Sequence, residues 1–214
     1  MADKHLELIY QTGKVKLLHK RELCFLKTSI DETIKSLKNS YLGDKDVCIK
    51  LLDNVPKYHS HNFEEVLNEM RKVFIVGLYH MWERNLKELL IKGSGLHCLQ
   101  LNKIDRFSIN EIIKIFDNKN SSNELKETFD YLRKYSNLNN AIKHGPTSSQ
   151  FKKLYKDYGE FFKLDELNND EYFSNFAIEP IVTEEHINEL YDNLMKFWDN
   201  VSDNLILNTK NLME

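Results

Sequence analysis

The segment Arg133-Lys-Tyr-Ser-Asn137-Leu-Asn139-Asn140-Ala-Ile-Lys143-His144-Gly145 carries the side chains best suited to chemistry. On a helix, residues three and four apart share a face. Asn140 therefore lies one turn below His144, and Asn137 one turn below Asn140. Asn139 and Lys143 form an adjacent row. An imidazole beside amide and ammonium donors can shuttle protons during phosphodiester cleavage. The unsatisfied carbonyls of a last helical turn also attract positive charge. A structural alternative stands beside this one: Lys143 and His144 only cap a helix end, and Gly145 stops it. Spacing alone leaves both open.

A second constellation is Tyr79-His80-Met81-Trp82-Glu83-Arg84. His80 and Arg84 are four residues apart, as are Tyr79 and Glu83. Charges this close to the middle of an apolar helix are costly unless paired. Glu83 is therefore expected to meet a cation from another helix, with Lys143, His144 and Arg133 as candidates. Arg84 reads as half of a structural ion pair at the rim of the core. His59 and His61 lack cysteine or carboxylate partners at ligand spacing, so no metal is expected. No P-loop, dinucleotide-binding glycine pattern, HExxH or nucleophile elbow is present, and no cofactor is expected. Tyr155, Tyr158, Phe161, Phe162, Tyr172, Phe173 and Phe176 lack interleaved arginines. They read as core or a dimer contact, not as a base-stacking platform.

These residues need helices to hold them, and the pattern supplies helices throughout. From about Val15 to Tyr41, apolar residues at Leu17, Leu18, Phe25, Ile30, Ile34 and Leu37 recur at roughly helical spacing, ended by Gly43 and Asp44. A short helix is expected over 47–52 and a loop over 54–62. Asn62 and Glu65 form a capping-box-like start for a helix running from Phe63 to about Leu90 and stopping at Gly93. Its middle, Val73 to Trp82, is apolar nearly all round, which marks a central helix covered on most sides. Ser108 and Glu111 open a short helix. Ser121 and Glu124 open a longer one that ends near His144, because Gly145-Pro146 is unsuited to continue it. A helix over about 148–158 and a long aromatic-rich loop over 161–181 follow. Thr183 caps a last helix extending through Leu212.

The 214 residues suit one domain, with 7 glycines and 3 prolines to break helices. Hydrophobic residues make up 41% and charged residues 29%, which is ordinary for a globular protein. The net charge of −3 implies no broad electrostatic funnel for a polyanion, although a local basic patch remains compatible with it. The 3 cysteines, Cys24, Cys48 and Cys98, have no CxxC spacing and read as reduced, buried thiols. Met1 to Tyr10 is polar and unlike a signal peptide, and no apolar run is long enough to cross a bilayer. The expectation is a cytoplasmic, all-α protein without membrane association.

Together, the Tyr79-His80-x-Trp82-Glu83-Arg84 helix and the later Asn140-x-x-Lys143-His144-Gly145 helix end resemble a group of bacterial HEPN-like proteins (higher eukaryotes and prokaryotes nucleotide-binding). Ser148 and the Phe161-Phe162 pair also fit, and the similarity covers roughly residues 62–162. The resemblance implies a single-domain HEPN-like helical bundle with long central helices and an additional C-terminal helix at 183–212. It also implies a homodimer with the histidine helix at the dimer cleft. It further implies a metal-independent endoribonuclease of a toxin or phage-defence system, with RNA as substrate and a cognate antitoxin or defence protein as partner. In that group an arginine, then a polar residue, precede the histidine. Here His144 takes the histidine place and Asn140 the polar place, while the arginine place falls on Asn139. Lys143 or Arg84 is then the available charge stabiliser, with Glu83 holding a cation in position and His80 beside it. The missing arginine keeps a second expectation open, a non-catalytic HEPN-like module binding RNA, nucleotide or a partner protein. A purely structural or antitoxin-like helical subunit is the third.

Overall fold

The computed structural model describes residues 2–43, 63–94, 111–112, 123–145, 149–161 and 179–201, with side chains in the first two stretches described over 13–40 and 63–90. Among them there is no strand. Five α-helices account for nearly all of the described chain: α1 (Ala2–Gly43), α2 (Phe63–Ser94), α3 (Asn123–His144), α4 (Ser149–Asp157) and α5 (Glu184–Asn200). A 3₁₀ turn, Gly159–Phe161, follows α4. The all-α expectation holds. No described helix is long and apolar enough to cross a membrane.

Four of these helices alternate in direction. Glu22 meets Asn85, and Lys38 and Arg71 share Glu184, so α1 and α2 run antiparallel. Lys16 reaches the Val201 carbonyl and Lys20 pairs with Asp199, so α1 and α5 are antiparallel as well. Tyr135 bonds the His186 carbonyl while Phe129 packs on Phe197, which makes α3 antiparallel to α5. The result is an up-and-down bundle in which α2 and α5 face each other across the centre.

Aromatic rings fill that centre. Trp82 of α2 meets Phe197 of α5 edge-on, with ring centroids 5.3 Å apart. Phe197 also touches Phe129 of α3 at 5.7 Å and its neighbour Trp198 at 5.0 Å. Trp198 in turn stacks obliquely on His19 of α1 at 5.2 Å. Four helices therefore converge on one pair of adjacent residues.

Several local signals were sound. Thr183 caps α5 as expected. Its hydroxyl accepts from the His186 backbone N–H at 3.3 Å, while its own N–H donates to His186 Nδ1 at 3.2 Å. Helix α3 ends at His144, and Gly145 follows at φ +72°, with its N–H donating to the Ala141 carbonyl at 2.9 Å. That left-handed residue is the αL cap. The helix expected to reach Leu212 is instead capped at Val201, whose backbone turns extended. The short helix over 47–52, the 54–62 loop with His59 and His61, and residues 162–178 lie outside the described residues. So do Cys48 and Cys98.

Two expectations need correction. The inward stripe of α1 is Val15, His19, Leu23, Leu26, Ile30 and Ile34. Leu17, Leu18 and Phe25 are 63%, 48% and 78% exposed. A repeat anchored on Ile30 and Ile34 puts His19, not Leu18, on the inner face. Cys24 belongs to the outer face and is exposed, not buried. The middle of α2 is covered on most sides and open along one strip. Val66 and Val73 are 44% and 63% exposed, and Gly77 is exposed with nothing within 4 Å of a Cβ built there.

Two substitutions test this account. Trp82 is fully buried, but its indole N–H has no partner. Trp82→Ala is expected to lower unfolding free energy by about 3–5 kcal/mol. Trp82→Phe should cost clearly less, because it removes the unsatisfied donor while keeping a ring against Phe197. Urea denaturation followed by circular dichroism reads both. Gly145→Ala meets no steric clash, so its cost should be backbone strain alone, about 1 kcal/mol, with Gly145→Asn milder.

Candidate functional site

The end of α3 is held from three sides. Asn68 of α2 grips the extended 179–183 segment with both ends of its amide: Nδ2 donates to the Pro180 carbonyl at 3.2 Å, and Oδ1 accepts from the Val182 N–H at 2.7 Å. The Ile181 N–H donates to the Phe161 carbonyl at 2.7 Å, tying the same segment to the turn after α4. Lys72, only 5% exposed, bridges Glu69 and Glu179 at 2.6 Å each. These groups enclose a cavity of about 110 Å³ against Ala141, Ile142, Gly145 and Phe151. The ammonium of Lys72 thus lies near the carbonyl end of α3, where positive charge is favoured. Nothing in the sequence pattern singled out Asn68 or Lys72, because both act through residues more than 100 positions away.

On this support, α3 presents its polar residues as the helical spacing requires. Lys143 and His144 are exposed in the last turn, and Asn140 is half-buried one turn below His144. Asn139 turns inward instead. It is 2% exposed, and its Oδ1 has no hydrogen-bond partner. Ser136, one turn below, faces the Tyr79 hydroxyl of α2 without a well-formed hydrogen bond. Burial pushes the Tyr79 phenol well above its ordinary value, so it stays protonated.

On α2, Trp82 points into the core. His80 and Arg84 sit two residues to either side, on the opposite face, and both are exposed. Glu83 is half-buried between these faces. Its ion-pair partners among the described residues are Lys87 at 3.3 Å and His80 Nδ1 at 3.7 Å, both on its own helix. The cation expected from another helix is therefore not the partner. Arg133 instead pairs with Asp130 on its own helix at 2.7 Å. An (i,i+4) lysine is always within reach, which is why it outcompetes groups that must cross between helices. Arg84 makes no ion pair among the described residues. Its guanidinium approaches Asn85 Oδ1 at 3.4–3.5 Å.

The two constellations are linked by charge. Lys143 of α3 is near enough to His80 of α2 to act on its charge. Burial, then Lys143, hold the His80 imidazole below its ordinary value. Glu83 opposes them, and Lys87 adds to them. The ring of His80 is thus under the influence of Lys143 from α3 and of Glu83 and Lys87 from its own helix.

Two buried polar groupings went unread in the sequence. His19 Nδ1 lies 3.3 Å from Glu22 Oε2, which also accepts from Asn85 Nδ2 at 2.9 Å, linking α1 to α2 under Trp198. Lys134 bridges Glu160 and Glu189 at 3.1 Å each, above the rings of Tyr135 and Phe161. The signal for the first was available, since His19 falls between Val15 and Leu23 on an inward repeat. Among the described residues no group of three or more His, Cys, Asp and Glu has the geometry of a metal site.

No protein-family model matches the chain, and no curated protein or solved structure matches it.

Proposed function

We propose that this protein is a HEPN-like, metal-independent endoribonuclease of a toxin or phage-defence system. His144 is the general acid/base, Asn140 orients the imidazole or the phosphate, and Lys143 stabilises the charge of the pentacoordinate phosphorus. The observation that carries this reading is the electrostatic influence of Lys143 on His80, which links two chemically useful segments 63 residues apart in sequence (143 against 80). The resemblance of those same segments to HEPN-like proteins supplies the substrate class, RNA. Arg84 is exposed on the same helix as His80 and can meet a phosphate.

The buried Asn139 favours a second reading. The arginine place of the resemblance falls on a residue 2% exposed, so no side chain there reaches a substrate. A non-catalytic module binding RNA, nucleotide or a partner protein would keep the site but not the turnover.

The open face of α2 supports the dimer in this proposal. Val66, Val73 and Gly77 line one outer strip, flanked by half-buried Phe74 and Met81. Mid-helix glycine costs about 1 kcal/mol relative to alanine. A Cβ built at Gly77 would meet nothing within 4 Å among the described residues, so close approach of a second helix would account for the glycine. Two copies crossing there would bring both Arg84 side chains to the cleft between them. A cognate antitoxin or another defence protein is the further partner in this scheme.

Two experiments test these proposals. Purified protein incubated with total RNA in EDTA should leave fragments ending in 2′,3′-cyclic phosphate, and His144→Ala should lower the rate by about 10²–10⁴-fold. Equal RNA survival with both proteins would rule out the nuclease, and RNA binding without turnover would establish the second reading. Light scattering after size exclusion should give a dimer, and Val73→Glu should give a monomer of unchanged helix content. A native monomer would remove the dimer.

A further inference from the structure

The chain is mildly acidic as a whole, but its charge is not spread evenly. Residues 131–156 carry Arg133, Lys134, Lys143, Lys152, Lys153 and Lys156 and no Asp or Glu. Asp and Glu together number 33 in 214 residues, so a stretch of that length holds about four on average. We propose that the outer face of α4, through Lys152, Lys153 and Lys156, binds the phosphate backbone of the RNA strand. The proposal rests on the RNA reading of the α3 end and deepens it, naming where the strand is held and not how it is cut.

The rotation of α4 is fixed by its apolar side. Phe151 and Leu154 are buried, and Tyr155 packs half-buried beside them. At 100° per residue, the side opposite them is that of Ser149, Lys152, Lys153 and Lys156, and all four are exposed. Lys152 and Lys156 stand one turn apart on that side, about 6 Å along the axis. The one carboxylate of α4, Asp157, is its last residue and lies at the edge of this face.

The other cations of the acid-free stretch are engaged inside the molecule. Arg133 pairs with Asp130, and Lys134 bridges Glu160 and Glu189. Lys152, Lys153 and Lys156 make no ion pair among the described residues. Their ammonium groups are point charges on flexible stems, which suits contact with phosphate oxygens and reads no base. The aromatic residues of α4 lie on its other side, so the lysine face offers charge without a stacking platform. Binding through it should be indifferent to sequence and strongly weakened by salt.

The helix is also seated beside the proposed site. Phe151 lines the same small cavity as Ala141, Ile142 and Gly145 at the end of α3. Ser149 follows His144 by only five residues, which limits the separation of their Cα atoms to about 18 Å.

The test is fluorescence anisotropy of a labelled 2′-O-methyl oligoribonucleotide, which has no free 2′-hydroxyl to attack phosphorus, over about 0.05–0.3 M salt. Native protein is compared with a variant combining Lys152→Ala, Lys153→Ala and Lys156→Ala. A control combines Lys35→Ala, Lys126→Ala and Lys196→Ala, which removes the same charge from exposed positions on α1, α3 and α5. Each is checked for native helix content. On a single strand, three phosphate contacts contribute about 2 to the slope of log affinity against log salt. The α4 variant should lose that slope and bind about 10–100-fold more weakly at about 0.1 M salt, alike for unrelated sequences, while the control keeps both. Equal slopes in the native protein and the α4 variant overturn the proposal, as does an equal loss in the control. If the α4 variant keeps its RNA affinity but releases vesicles of phosphatidylserine, the face belongs to a lipid surface and the proposal is overturned. A native protein that binds no RNA removes this proposal together with the RNA reading. One that binds through α4 and leaves RNA uncut removes the nuclease alone.

Discussion

Everything in the bundle is referred to the contact between Trp82 and Phe197. Phe197 touches α2 and α3 directly, and its neighbour Trp198 carries the contact on to His19 of α1. Each of these rings is buried, and aromatic pairs at such distances add about 0.5–1.5 kcal/mol to the burial of their area. The consequence for the site is geometric. Once Trp82 is fixed inward, the 100° step of the helix fixes its neighbours. Tyr79 and Glu83 fall toward α3, and His80 and Arg84 fall on the outside. The chemistry-bearing residues of α2 are therefore positioned by the one residue among them that carries none.

Between α2 and α3 the packing is less complete in its polar bookkeeping. The Tyr79 hydroxyl, the Trp82 indole N–H and Asn139 Oδ1 are buried without partners. A buried polar atom left unpaired costs about 1–3 kcal/mol, and folded proteins hold few of them. Other buried polar groups are paired: Lys72 lies between two glutamates, Asn68 uses both ends of its amide, and Asn85 bonds to Glu22. Buried atoms without a hydrogen-bond partner among the described residues also occur at Arg71 Nε near the start of α2 and at Trp198 Nε1 of α5, so the feature is not confined to the contact between α2 and α3.

How much of this was legible in the sequence depended on whether the deciding interaction was local. The stop of α3 at His144 was readable because Gly145 and Pro146 adjoin it, and the start of α5 because Thr183 and His186 lie three apart. The inner face of α1 was misread because Leu17, Leu18 and Phe25 are as hydrophobic as core residues, while the true repeat passes through a histidine. Only Trp198 and Asn85, far along the chain, explain why His19 is inside. The pairing of Glu83 was misjudged for the opposite reason. A long-range partner was expected where a lysine one helical turn away sufficed. The supports of the α3 end, Asn68 and Lys72, left no trace in any spacing.

The same logic bears on the arginine that the resemblance would place at residue 139. That position is inside because Leu138, Ala141 and Tyr135 on the same helix are inside, and a helix has no freedom to turn one residue out alone. An arginine there would bury a guanidinium, at a cost of several kcal/mol unless a carboxylate met it. Asparagine at 139 is thus what this packing can hold, and any cation serving the site has to come from elsewhere. Two surfaces offer one. Lys143 reaches in from the exposed last turn of α3, and Arg84 stands on the outer face of α2 with no ion pair among the described residues. Arg84 lies one turn beyond His80 along α2, and Lys143 acts on the charge of His80 from α3, so the two cations flank that ring from different helices.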